Sequence, residues 1–171
     1  AYDPVYKVNP PLRSDEDVAA IKVGLADGTI DAIATDHAPH PREEKERPFD
    51  EAPPGMLGLE TALSLTLTEL VAAEVLTLAQ ALALLSWQPA VIAGLADLSL
   101  HGRPAGHGGP VEPGRPAHLC VIDPAAVWEV DAARLASKSR NTPYAGRKLT
   151  GRIRHTIYGG EPVVLDGAAQ R

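Results

Sequence analysis

Apolar positions along the first hundred residues recur mostly at helical spacing. Val18, Ile21 and Leu25 lie three or four apart behind Ser14, and Gly28 follows. That spacing predicts a helix opened by Ser14 and Asp17 in a capping-box arrangement and closed at Gly28, although Glu or Gln is the usual third-position partner. TIDAIAT, from Thr29 to Thr35, breaks the pattern: it is short, β-branched at Thr29, Ile30, Ile33 and Thr35, and reads as a buried strand ending at Asp36. Starting at Met56, Leu59, Leu63, Leu67 and Leu70 form the apolar stripe of a second helix. Thr77 with Gln80 caps a third, carrying Leu78, Leu82 and Leu85. Pro89 suits the first position of a short fourth helix that ends near Gly94.

The pattern changes past residue 101. Nine of the fifteen residues from Gly102 to Pro116 are Gly or Pro, too many for a helix or a central strand. Beyond them AHLCVID is a compact apolar run, and TGRIRHTIYGGEPVV alternates Ile153, Thr156 and Tyr158 before a Gly159-Gly160 hairpin turn. The expected organisation is an α/β segment over 1–101, a linker over 102–116 and a small β domain over 117–171. Helix, strand and helix in succession indicate part of an α/β architecture. With 171 residues the chain is too short for a complete (β/α)8 barrel, which needs at least about 200.

Composition narrows the functional classes. A net charge of −6 argues against nucleic acid as a partner, because phosphate binding needs a basic face. There is no apolar run of membrane-spanning length and no basic-plus-apolar leader at the front, so a cytoplasmic location is expected. The single cysteine, Cys120, excludes an internal disulfide and reads as a small buried hydrophobe. Met56 is the one methionine, and the chain opens at Ala1 in AYDPVYKVNPPLR as if continuing a longer polypeptide. The basic run Arg140, Arg147, Lys148, Arg152 and Arg154 reads as a solvated strand face or a subunit interface, and Glu43, Glu44, Lys45 and Glu46 as an exposed loop. His101 and His107, in and beside the Gly/Pro stretch, read as solvated loop residues.

The sharpest chemical feature is ATDHAPH. Asp36, His37 and His40 follow a strand directly, and in an α/β protein that places them at the carboxyl edge of the sheet, where ligands bind. A carboxylate there can ligate a metal or shuttle a proton. By itself the spacing is equally compatible with Asp36 capping a turn and two solvated histidines.

With KVNPPLR upstream and PPGMLGLET downstream, ATDHAPH resembles dihydroorotase of the barrel-type bacterial branch of the amidohydrolase superfamily. SKSRNTPYAGRKLTGRI and EPGRPAHLCVIDP resemble the same family's C-terminal β domain, so the likeness runs from about Asn9 to the end. Hydantoinases carry a comparable Ser-Asp-His stretch without the second histidine. The resemblance implies the C-terminal part of a (β/α)8 barrel plus a small β domain. The implied activity is zinc-dependent interconversion of N-carbamoyl-L-aspartate and L-dihydroorotate in pyrimidine synthesis. Position by position, it implies that Asp36 is general acid/base and a metal ligand, and that His40, Asn9 and the main chain of Pro54-Gly55 contact the substrate. His37 is expected to support the site. His118 stands where the family usually has an acidic residue.

The same resemblance shows what the chain lacks. The family's His-x-His pair and its further ligands are absent from the six histidines, 37, 40, 101, 107, 118 and 155. Most ligands for one or two zinc ions are therefore expected from an upstream part, and the rest of the barrel is the expected partner. A homo-oligomer and aspartate transcarbamoylase are further candidate partners. Two alternatives remain open at this point: a non-catalytic dihydroorotase-like scaffold for aspartate transcarbamoylase, and a hydantoinase- or allantoinase-type hydrolase.

Overall fold

The computed structural model describes residues 2–96 and 106–170. Helix α1 (Asp15–Ala26) starts as the sequence predicts: the Ser14 hydroxyl accepts from Asp17 N, and the Asp17 carboxylate accepts from Ser14 N. A short helix α2 (Arg42–Lys45) follows. Helix α3 (Ala62–Thr66) runs into a π-helical turn (Leu67–Val71), in which Ala72 N donates to Leu67 O. Helix α4 (Leu78–Leu85) carries the expected Thr77/Gln80 capping box, and α5 (Trp87–Ile92) closes the helical part.

Leu25 of α1, Leu67 and Leu70 of the π turn, Leu76, and Ala81 and Leu84 of α4 form one buried cluster, with Ile30, Ile33 and Leu63 packed against it. Full burial of each leucine contributes roughly 1.5–3 kcal/mol, so this cluster holds the helices together. Val18 and Ile21 remain 46% and 52% exposed. They line an open apolar groove of about 530 Å³ with Leu25, Ile33, Leu65 and Tyr144.

Three expectations change here. Residues 29–36 are extended but form no ladder. Among the described residues they gain only scattered bonds, such as Ile33 N to Leu84 O, and a single parallel bridge joins His37 to Met56. A strand is formed only against a neighbour that supplies a ladder, and no described residues supply one for this segment. The second helix starts at Ala62 rather than at Met56, because Met56–Gly58 run extended beside residues 35–38. A Cβ on Gly58 would lie 2.9 Å from the Thr35 carbonyl oxygen, and Leu59, outside the helix, is 63% exposed. Pro89 occupies the third position of α5, where its missing N–H is equally harmless because first-turn donors have no intrahelical partner.

Residues 106–116 contain turns and no helix or strand, while 102–105 and His101 lie outside the described residues. The β part is a four-stranded antiparallel sheet in the order β1 (Leu119–Glu129), β2 (Lys148–Tyr158), β3 (Glu161–Leu165), β4 (Ala168–Ala169). The expected Gly159-Gly160 hairpin joins β2 to β3, both glycines having positive φ. Cys120 of β1 pairs with Thr156 of β2 and is exposed, not buried as expected. Its neighbour Val121, on the opposite face of the strand, is exposed as well, so this stretch of β1 is uncovered on both faces.

The sheet is seated on α3 through β2. Ser64 Oγ donates to Gly151 O at 2.6 Å, Trp128 Nε1 donates to Ser64 Oγ and Gly151 O, and Thr150 N donates to Thr68 Oγ1. Gly151 has φ +94°, and a Cβ there would collide with Leu67 Cδ1, so both conformation and space require glycine.

Candidate active site

The extended segment 29–36 delivers ATDHAPH to one end of the helical part. Asp36 ends it with φ +45°, a left-handed conformation uncommon for a non-glycine residue. The Asp36 carboxylate is exposed and accepts no hydrogen bond among the described residues. His37 faces the protein: its Nδ1 lies 3.1 Å from Gly58 N and 3.3 Å from Leu59 N, accepting from both. These bonds tie residue 37 to the segment leading into α3.

His40, Pro54 and Gly55 come together directly. His40 Nε2 lies 3.0 Å from Pro54 O, a geometry that requires the Nε2–H tautomer. Gly55 has φ +141°, and a Cβ on it would sit 2.7 Å from Ala38 Cβ and 2.8 Å from His40 Nε2. Only glycine lets this main chain approach the histidine ring. Asn9 joins through its neighbours: Gly55 N donates to Lys7 O at 2.8 Å, which brings the 7–9 segment against 54–55. Asn9 itself is exposed and precedes a cis peptide bond to Pro10.

Two residues that organise this region escape the sequence reading. Asn141, 6% exposed, reaches back from the β part. Its Nδ2 donates to Ala38 O (2.9 Å) and Gly55 O (3.2 Å), its Oδ1 accepts from His40 N (3.2 Å), and its own carbonyl accepts from Leu57 N. One side chain therefore links the 38–40 loop to the 55–57 segment. The only signal for it was the stretch RNTPY, in which a lone Asn before Thr-Pro has no local use. The second is Lys45, which was expected in an exposed loop and is 5% exposed. Its ammonium donates to Lys7 O and Pro53 O, and burial, then the Lys7 charge, holds its pKa below the ordinary 10.5. A charged run hides such a residue, because burial of one member of EEKE depends on the fold around it.

Several residues of 136–147 bond to the helical part. Glu60 accepts from Ala136 N and Ser137 N, and Glu69 pairs with Arg147. Of the basic run, Arg152 sits over the Trp128 ring at 5.5 Å and Arg154 pairs with Asp166 on the exposed sheet. His107 is not a free loop residue: its ring stacks on His118 at 4.1 Å, and His118 lies 4.9 Å from Tyr158. Burial, then His107, lowers the pKa of His118.

A catalytic zinc takes three protein ligands and a water. Among the described residues no three His, Cys, Asp or Glu side chains are grouped to hold one. Asp36 offers one carboxylate with both oxygens free. By themselves, then, the described donors do not fit a zinc site. Nor is any described helix long and apolar enough to cross a membrane.

No family model matches the chain. It is 48% identical over 167 residues to a dihydroorotase of Streptomyces coelicolor, a match covering 98% of this chain and 37% of the relative. It is 53% identical over 165 residues to a dihydroorotase of Pelotomaculum thermopropionicum, covering 96% and 36%. Among solved structures, the L-hydantoinase of Arthrobacter aurescens superposes with a TM-score of 0.85 at 30% identity, over 98% of this chain and 36% of that one. The D-hydantoinase of a Thermus species gives 0.81 at 24% identity. The chain thus spans little more than a third of the curated relatives it matches, aligning with their C-terminal portion, and the resemblance read from ATDHAPH is borne out.

Proposed function

We propose that this chain is the C-terminal portion of a dihydroorotase, comprising the last strands and helices of a (β/α)8 barrel over 1–101, a linker over 102–116 and a β domain over 117–171. The reaction is cytoplasmic interconversion of L-dihydroorotate and N-carbamoyl-L-aspartate in pyrimidine synthesis. The observation that carries this reading is about 50% identity to dihydroorotases across nearly every residue of the chain. The site geometry supports it. Asp36 is an exposed carboxylate with no competing partner among the described residues, beside a loop that Asn141 and Gly55 hold in one shape.

In the hydrolytic direction a water oxygen attacks the ring amide carbonyl and the carbon–nitrogen bond breaks. Asp36 takes the proton that the water loses and returns it to the departing nitrogen; in ring closure the same transfers run backwards. General acid–base assistance of this kind contributes about 10²–10⁴ in rate. His40, whose Nε2–H is directed at Pro54 O, presents a polar ring edge beside exposed Pro54 and buried Gly55. The Asn9 amide offers a donor and an acceptor to a cyclic imide edge. Zinc, as one or two ions, would find a single ligand here in Asp36. The other ligands are expected from the upstream part of the complete enzyme.

The open groove at Val18, Ile21 and Leu65 is the surface the remaining barrel would cover. Two experiments follow. Size-exclusion chromatography with light scattering of this chain alone should show association or aggregation, and a monodisperse monomer would count against the missing-barrel reading. Assay of the complete polypeptide should show loss of dihydroorotate and appearance of N-carbamoyl-L-aspartate. Turnover of hydantoin in its place would favour the hydantoinase reading that the Arthrobacter likeness supports at the level of fold. Absence of any turnover, with intact binding to aspartate transcarbamoylase, would favour a scaffold.

A further inference from the structure

Lys45 is a buried cation that the proposed chemistry does not use. It ends the four-residue helix α2, is 5% exposed, and forms no ion pair among the described residues. Burying an ammonium is costly unless its protons are matched. Two of them are: Nζ donates to Lys7 O at 3.1 Å and to Pro53 O at 3.0 Å. Both acceptors sit immediately before residues assigned to substrate binding, Lys7 two residues ahead of Asn9 and Pro53 one ahead of Pro54. Lys7 O also accepts from Gly55 N, so one carbonyl is shared by the ammonium and the glycine amide. The Lys7 side chain turns the other way and donates to Phe49 O and Asp50 O, closing the loop that follows α2.

Three chain segments with no regular pairing between them, 7–9, 45–50 and 53–55, are thus fastened at one point. Hydrogen bonds to a charged donor are roughly twice as strong as neutral ones, which suits an ammonium to holding irregular main chain. The clasp also borders an open cavity of about 470 Å³, lined by Lys45 with His40, Asn141, Arg140 and Asp3.

We propose that Lys45 is a positioning residue that sets the distance between Asn9 and the Pro54-Gly55 main chain, and through it the affinity for the cyclic substrate. This rests on the dihydroorotase reading for the identity of the substrate, and on the geometry alone for the clasp. A lysine ammonium is used as a fastener rather than as a base, with its two carbonyl acceptors fixing its place.

The test is Lys45→Met in the complete enzyme, a change that keeps the length and removes the donors. KM for dihydroorotate should rise about tenfold with kcat within a factor of about three, because the reacting carboxylate at Asp36 is untouched. Hydrogen exchange followed by mass spectrometry should quicken in the peptide spanning 53–57, where Gly55 N loses its fixed acceptor. Peptides of β1 and β2 should be unchanged. A fall in kcat at unchanged KM, or faster exchange throughout the protein, would mean a general loss of folded enzyme and would overturn the assignment, as would exchange in 53–57 that does not move. Lys45→Arg, which keeps the charge in a longer fork, should recover part of the lost affinity, and no recovery in a protein of wild-type exchange also counts against it. Wild-type enzyme that fails to turn over dihydroorotate would defeat the functional reading while leaving the exchange result to judge the clasp.

Discussion

Replacing Asn141 by alanine removes a side chain that makes three hydrogen bonds inside a nearly closed space: two donated, to Ala38 O and Gly55 O, and one accepted, from His40 N. Alanine fills none of these roles. Each buried group left without a partner costs about 1–3 kcal/mol. Relief is available for part of the set, because the cavity bordered by His40 and Asn141 can admit water to His40 N. Ala38 O and Gly55 O carry the remainder, giving an expected loss of about 2–4 kcal/mol rather than the full sum. With a slope of about 2 kcal/mol per molar urea, the unfolding midpoint should fall by about 1–2 M. Asn141→Asp makes a sharper test. It keeps the acceptor for His40 N but turns the donor into an oxygen facing two carbonyls, so near neutral pH it should be worse than alanine. Protonation would restore one donor, so the new carboxyl should titrate above its ordinary value. The deficit of that variant should therefore shrink as pH falls from about 8 to about 5, while the alanine deficit stays level. Urea titrations followed by circular dichroism at the two pH values give both numbers. An alanine variant within about 0.5 kcal/mol of the parent, or an Asn141→Asp variant that is the more stable of the two at pH 8, would refute the assignment of these bonds as the link between the two segments.

Three further outcomes follow from the same structure. Gly151→Ala should destabilise by about 2–5 kcal/mol, from a left-handed φ and a collision with Leu67 Cδ1, and combining it with Leu67→Val, which removes that atom, should recover about 1–3 kcal/mol in a double-mutant cycle. Asp17 is held below its ordinary 3.8 by the Ser14 hydroxyl and then the Ser14 amide. Its contribution is complete above pH 3.8 and is lost as pH falls through the lower folded value; carboxyl titration by NMR should show that depressed midpoint in the parent and a partial rise toward 3.8 in Ser14→Ala, which removes the hydroxyl but keeps the amide. Asp36→Asn in the complete enzyme should cut turnover about 10²–10⁴-fold with an unchanged unfolding midpoint, and retained turnover would remove Asp36 from its proton-transfer role.

Local chemistry was legible before any fold was known. The capping boxes at Ser14 and Thr77, the Gly159-Gly160 hairpin and the antiparallel β part rest on interactions within a few residues, and a sequence records those directly. ATDHAPH was legible for another reason: its spacing alone left a turn cap and two solvated histidines open, and only its likeness, together with KVNPPLR and PPGMLGLET, to dihydroorotase gave it weight. What depends on partners distant in the chain could not be read. Residues 29–36 have the composition of a strand, yet a strand exists only where a neighbour supplies the ladder. Leu59 has the spacing of the α3 stripe, but the close run of Gly58 against Thr35 keeps the helix from starting before it. Lys45 looks like its charged neighbours and is buried because Lys7 O and Pro53 O converge on it. Asn141 stands 101 residues from His40 and is tied to it by a single hydrogen bond. Hydrophobic period, caps and turns are set by near neighbours, whereas burial of a polar group is decided only when the fold brings its acceptors together.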